Sequence, residues 1–370
     1  MLSAVETGPD RTSDTPAHVP LRPAVEALPP YVPGARPTSG EQLWKLSSNE
    51  NPYAPLPSVV EAIARAAAET NRYPDMYATE LVEALAAFVG VDPEQVVVGN
   101  GSVAVLAHLL NAVVDAGDEV VFPWRSFEAY PIAVSVAGGR SVTVPLGADG
   151  RLDLPAMAAA VTDRTRVILV CTPNNPTGPV VHADELDELL AAVPQDVMVV
   201  IDEAYLEFVR DAAVPDAVAL LARHDNVVLL RTLSKAYGLA GLRVGYAIAA
   251  PRLAAGIRAV STPFGVSHVA QQAALASLEP TAQAELMERV DALVAERARV
   301  QAALREQGWD LPDSQANFVW FPLGERTMEC AAQARRAGVL VRPFAGDGLR
   351  VSIGEVEAND AFLEVAATWL

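Results

Sequence analysis

Thr232-Leu233-Ser234-Lys235-Ala236-Tyr237-Gly238-Leu239-Ala240-Gly241-Leu242-Arg243 lies between two short apolar runs, Asn226-Val227-Val228-Leu229-Leu230 and Val244-Gly245-Tyr246-Ala247-Ile248. Both runs are β-branched or leucine-rich, which predicts buried strands. A lysine at the end of a core strand is poorly solvated, so its amine is more easily deprotonated and can condense with an aldehyde. Thr232, Ser234 and Arg243 add two hydroxyls and a guanidinium to the same connection, a donor set suited to one phosphate. An amine beside a phosphate clamp is the equipment that holds pyridoxal phosphate as a Schiff base. A surface lysine in a glycine-containing turn is the alternative that this segment alone leaves open.

The chain has 370 residues, 51% of them apolar, which predicts one large and one smaller domain around a sizeable core. Apolar runs fall short of the ~18 residues that a membrane span needs. Residues 1–15 are acidic and polar, so no secretory signal is expected. Cys171 and Cys330 are the only cysteines, which excludes a disulfide framework and fits a reducing cytoplasm. Five scattered histidines without a cysteine cluster predict no metal site. A net charge of −19 disfavours nucleic acid as a partner.

Pro20, Pro23, Pro29, Pro30, Pro33 and Pro37 preclude a long helix near the start, so a disordered stretch and then an extended arm are expected over residues 1–45. Leu46-Ser47-Ser48-Asn49-Glu50-Asn51-Pro52-Tyr53 reads as a loop, and residues 59–68 as a helix. Asn71-Arg72-Tyr73-Pro74 is a turn, and Thr79 is expected to cap a helix ending near Val89. Strands and helices then alternate. Val96-Val97-Val98 feeds Gly99-Asn100-Gly101-Ser102 and a helix, a candidate anion site that could equally be simple strand–helix packing. Further strands at 119–123, 141–146, 165–171 and 196–201 end in polar residues, the signature of an open parallel α/β sheet with ligands at its C-terminal edge. Beyond residue 262 a helix-rich stretch, 271–307, precedes short strands at 317–321, 339–343 and 349–354. The expected division is therefore a large domain over 46–262 and a small α+β domain over 263–370.

Each polar strand end has a chemical reading beside a plain one. Asp202 could hold a proton on a pyridine nitrogen, or could be an ordinary helix cap. Asn175 and Tyr205 can donate to a phenolate oxygen. Phe127 can stack on a ring face or simply pack in the core. Arg350, within Leu349-Arg350-Val351, needs an anion, either a substrate carboxylate or an internal partner. Ser/His/Asp order, zinc spacing and P-loop are all missing, and Gly99-x-Gly101 lacks the third glycine of a dinucleotide fingerprint.

Asn49-Glu50-Asn51-Pro52, Asn71-Arg72-Tyr73-Pro74, Asn174-Asn175-Pro176-Thr177-Gly178, Asp202-Glu203-Ala204-Tyr205, Ser234-Lys235 with Arg243, and Leu349-Arg350-Val351 occur in that order. Together they resemble the fold-type I pyridoxal-phosphate-dependent aminotransferases, in the branch of histidinol-phosphate and aromatic amino acid (phenylalanine) aminotransferases. The resemblance implies an α/β type I fold, a mostly parallel seven-stranded sheet plus a smaller α+β domain. It implies Lys235 as the Schiff-base lysine, Asp202 at the pyridine nitrogen, and Asn175 and Tyr205 at the phenolic oxygen. Ser102, Thr232, Ser234 and Arg243 would hold the phosphate, with Val103 and Phe127 completing the cofactor contacts. Arg350 would take the substrate carboxylate, aided by Asn175. Tyr73 would reach the phosphate of a neighbouring subunit's cofactor, implying a homodimer. Gly99-Asn100-Gly101-Ser102-Val103, residues 125–131 and residues 342–348 look more like the aromatic branch, although Arg342 could grip either a substrate phosphate or a distal carboxylate. The expected reaction is transamination of aromatic amino acids with 2-oxoglutarate; the alternative is histidinol phosphate.

Overall fold

The structure, a computed structural model, describes residues 19–28, 34 and 43–370. The expected disordered start and much of the expected extended arm, residues 1–18, 29–33 and 35–42, lie outside the described residues, and within the described part of the arm Pro23–Glu26 forms one helical turn. Twelve strands are described: β1 (Trp44–Lys45), β2 (Val96–Gly99), β3 (Glu119–Trp124), β4 (Arg140–Pro145), β5 (Thr165–Cys171), β6 (Met198–Asp202), β7 (Val227–Thr232), β8 (Gly245–Ala249), β9 (Phe318–Phe321), β10 (Val339–Leu340), β11 (Arg342–Phe344) and β12 (Gly348–Ser352).

Seven of them form one sheet in the order β2-β8-β7-β6-β5-β3-β4. β8 runs antiparallel to both neighbours, and the other pairings are parallel. The sheet is apolar on both faces because helices cover both, as parallel sheets require. Val167, Leu169, Met198, Val200, Val228 and Leu230 pack with Leu106, Leu109 and Tyr130 on one side. Their neighbours Ile168, Val170, Val199, Ile201, Val227 and Leu229 belong to a second core that continues under β9 and β12. That alternation is the two-residue period of a strand.

The remaining strands make a three-stranded antiparallel sheet, β11-β12-β9, and a two-stranded parallel pair in which β1 joins β10. The end of the expected arm is thus tied to strands near the C-terminus. Residues 271–307 are two helices, His268–Leu278 and Pro280–Gln307, parted where Pro280 occupies a first-turn position. The first of these packs on the helices Pro57–Ala67 and Thr79–Val89, although it lies past the expected boundary at residue 262. Thr79 is not the cap of its helix. Ala78 stands at that position with φ +49°, and the Asp75 carboxylate accepts the Thr79 N–H at 2.6 Å.

Candidate active site

The C-terminal ends of the parallel strands meet at a cavity of about 260 Å³. Ser102 and Val103 reach it after β2, Phe127 and Glu128 after β3, and Asn175 after β5. Asp202 and Tyr205 come from β6 and its sequel, Thr232, Ser234 and Lys235 from β7. Arg243 arrives just before β8, whose reversed direction puts its N-terminal end at the same edge. β11 and β12 contribute Arg342, Phe344 and Arg350 from across the cavity. Strand order reverses between β3 and β5, so the cavity sits at the switch point where open α/β sheets bind ligands.

One end is a cradle for an anion. Gly101 has φ +83° and lies so close to the Arg243 guanidinium that a Cβ there would overlap it. A Cβ on Gly245 would likewise overlap the Ser102 amide. The two glycines let Arg243 and the N-terminus of the helix Ser102–Val113 converge. Arg243 Nη1 donates to Ser234 Oγ at 3.3 Å, and Thr232 Oγ1 donates to Ser234 Oγ at 3.0 Å. A guanidinium, hydroxyls and helix-terminal N–H groups form a phosphate site.

At the other end Asp202 is buried. Its Oδ2 accepts the hydroxyl of the buried Tyr130 at 2.7 Å. Its Oδ1 is buried with no hydrogen-bond partner among the described residues. Burial pushes the Asp202 carboxyl up to about 6, the Tyr130 hydrogen bond holding it partly back. Lys235 Nζ lies 3.5 Å from the Ser48 carbonyl and 5.7 Å from the Tyr205 ring centroid. Burial first, then the charge of Arg350, brings its ammonium down to about 7. The amine is therefore far more easily deprotonated than an ordinary lysine.

Residues 41–365 match the family described as aminotransferase class I and II. The chain belongs to that family. This class I and II aminotransferase is 56% identical to a Streptomyces coelicolor protein named aromatic amino acid aminotransferase, over 94% of this chain and 96% of that one. A Thermobifida fusca protein of the same name is 53% identical, over 94% and 97%. Among solved structures, histidinol-phosphate aminotransferase from Sinorhizobium meliloti, in complex with pyridoxal-5'-phosphate, superposes with a TM-score of 0.85 at 29% identity, covering 96% of this chain and all (100%) of that one. The family's cofactor is pyridoxal phosphate, and the cavity suits it. An anion cradle, an easily deprotonated lysine and a buried carboxylate oxygen lacking a protein partner are the three complements of its phosphate, aldehyde and ring nitrogen.

In the aminotransferase, further side chains fix those that face the cavity. Asn49, at φ +52°, donates its Nδ2 to the Tyr205 hydroxyl at 2.9 Å. Its own N–H goes to Ser352 Oγ at 2.8 Å, and Asn317 Nδ2 donates to its carbonyl at 3.2 Å. Arg350 Nη1 donates to Asn175 Oδ1 at 2.5 Å, and Nη2 to the Ser47 carbonyl at 3.1 Å. Arginine has no acceptor, so the Asn175 amide must turn its oxygen to Arg350 and keep its NH₂ for another partner. Arg342 pairs with Glu128 at 2.5 Å. Tyr73 lies outside the cavity, 84% exposed, with its ring 4.8 Å from that of Phe264. Sequence reasoning gave no role to Ser47, Ser48, Tyr130, Glu128 or Phe344. Tyr130 and Glu128 fall within residues 125–131 and Phe344 within residues 342–348, stretches read in the sequence only as likeness to the aromatic branch.

Proposed function

We propose that the protein transfers amino groups between aromatic L-amino acids (phenylalanine, tyrosine and tryptophan) and 2-oxoglutarate, giving aromatic 2-oxo acids and L-glutamate. The observation that carries this reading is the placement of Lys235 and Asp202 on one cavity whose walls include Phe127 and Phe344. The names of the relatives point the same way.

The bound cofactor supplies an electron sink for a carbanion at the substrate's α-carbon. Ser102, Thr232, Ser234 and Arg243 would hold its phosphate, with Val103 and Phe127 beside it, and the ionised Asp202 would keep the ring nitrogen protonated. Tyr205 and Asn175 would donate to its phenolic oxygen. Arg350 takes the substrate carboxylate with its planar fork. Lys235 would hold the cofactor through its aldehyde and, as a free amine, would take the substrate's α-proton and give it back. Arg342 meets the far end of the substrate. The two half-reactions share these groups in turn, so ping-pong kinetics are expected.

The functional unit is a cytoplasmic homodimer in which the exposed Tyr73 serves the neighbouring subunit's cofactor. The large domain supplies the cradle, and the small one Arg342 and Arg350. The decisive assay compares kcat/KM for phenylalanine, tyrosine, tryptophan and histidinol phosphate with 2-oxoglutarate as acceptor. A preference for histidinol phosphate would overturn the substrate assignment.

A further inference from the structure

Transamination with two unlike partners sets a problem of charge, because one cavity must accept an apolar ring in one half-reaction and a second carboxylate in the other. The Arg342 side chain is 6% exposed, whereas that of its partner Glu128 is 28% exposed. The Arg342 guanidinium also lies 5.4 Å from the centroid of the Phe344 ring, which lines the same cavity. Glu128 stands next to Phe127 at the end of the loop after β3 and lines the same cavity as Arg342.

A guanidinium so little hydrated is costly without a counter-ion, and more so when an apolar ring displaces the remaining water. A dicarboxylate brings its own counter-ion, and Glu128 then becomes a competitor of like charge. The base is buried against the Phe344 ring, while the acid has solvent to retreat into. We infer that Glu128 is a specificity-determining residue, an exchangeable counter-ion that neutralises Arg342 when an aromatic side chain occupies the cavity and yields to the distal carboxylate of a dicarboxylate substrate. This rests on the reading of Arg342 as the residue facing the far end of the substrate. The selectivity then comes from movement of a carboxylate about a fixed arginine.

The test measures calorimetric binding of glutarate and of 3-phenylpropanoate to the cofactor-loaded protein, in wild type, Glu128→Gln, Arg342→Gln and the double variant. In E128Q, glutarate is expected to tighten and 3-phenylpropanoate to weaken, moving their ratio about tenfold, the lower end of what a hydrogen bond to a charged group contributes. The gain for glutarate must vanish in the R342Q background. Unchanged or parallel affinities in E128Q, or a gain that persists without Arg342, would overturn the inference while leaving wild-type transamination of phenylalanine intact. Wild-type protein that binds glutarate but not 3-phenylpropanoate would sink the aromatic reading, and this inference with it.

Discussion

Tyr130 donates its hydroxyl proton to Oδ2 of Asp202 at 2.7 Å, and the other oxygen of that cavity-lining carboxylate is buried with no hydrogen-bond partner among the described residues. One oxygen anchors the side chain and the other works. Tyr130→Phe removes the anchor at nearly constant volume. The hydrogen bond lowers the Asp202 pKa, so its loss raises it further, and the acid limb of the pH–rate profile should move to higher pH. Cofactor affinity should fall about tenfold, the lower end of what a hydrogen bond to a charged group contributes. Titration of the apoprotein with pyridoxal phosphate, together with the pH profile, measures both. An acid limb that stays put would show Tyr130 to be mere packing.

Lys235 makes the cofactor-free protein pH-sensitive. Its pKa falls from 10.5 unfolded to about 7 folded. Between those values the unfolded chain binds more protons, so stability rises with pH. Below pH ~7 both states are protonated and the cost of a buried charge is fully present. Lys235→Met apoprotein should therefore be more stable than wild type at pH 7, with the advantage shrinking towards pH 10. Asp202, at about 6, and Glu207, at about 7, titrate mainly towards the lower end of that range, so the upper part reads Lys235 most directly. Urea midpoints across the interval are the measurement. The same variant should lose at least ~10³ in kcat, because nothing else on the cavity replaces its proton transfers.

Two glycines of one connection and its following strand make a controlled comparison. A Cβ at Gly245 would run into the Ser102 amide, whereas one at Gly241 meets nothing within 4 Å. Neither backbone is left-handed, so space alone separates them. Gly245→Ala should push β8 away from the phosphate cradle and weaken pyridoxal phosphate more than tenfold, with overpacking costing about 1–3 kcal/mol of stability. Gly241→Ala should leave both unchanged. Equal behaviour of the two variants would remove the cradle argument.

Much of this site could be read from the chain because parallel strands deliver their ends to one edge. Asp202, Thr232 and Lys235 each follow an apolar run, and the topology does the rest. The supporting contacts could not be read. Asn49 and Tyr205 are 156 positions apart, Glu128 and Arg342 214, and no local pattern encodes a hydrogen bond between elements that meet only after folding. The same limit explains Thr79. The sequence offered a good capping residue, but the Asp75 carboxylate, four residues upstream, took the helix N-terminus instead. Likewise the pairing of Trp44–Lys45 with Val339–Leu340 is invisible in a chain order that puts them at opposite ends.

Asn49 is one of those unread contacts, and its two roles can be separated. Its left-handed backbone, φ +52°, disfavours alanine, and its amide holds the Tyr205 hydroxyl. Asn49→Ala should lose on both counts, about 1–3 kcal/mol in all. Asn49→Gly recovers the backbone part without the amide. The glycine variant should thus regain thermal stability over alanine but show the same loss of kcat with KM little changed. Equal kcat in N49G and wild type would assign Asn49 to the backbone alone.

Arg350 is tied to Asn175 and Ser47 and acts electrostatically on Lys235. Its fork is fixed by Asn175 and the Ser47 carbonyl, and its charge is the second cause, after burial, of the lowered Lys235 pKa. The fork and the charge come apart in two variants. Arg350→Lys keeps the charge and loses the planar fork, so kcat/KM for every amino donor should fall about 10²-fold, as expected for losing a charge-assisted bidentate contact. The Lys235 pKa should stay where it is. Arg350→Gln also removes the charge, and the Lys235 pKa should rise above about 7. Acylation of Lys235 in the apoprotein by a neutral reagent, followed by peptide mass across pH, reads that shift directly. A Lys235 titration identical in R350Q and R350K would mean that burial alone sets it, and that Arg350 serves the substrate only.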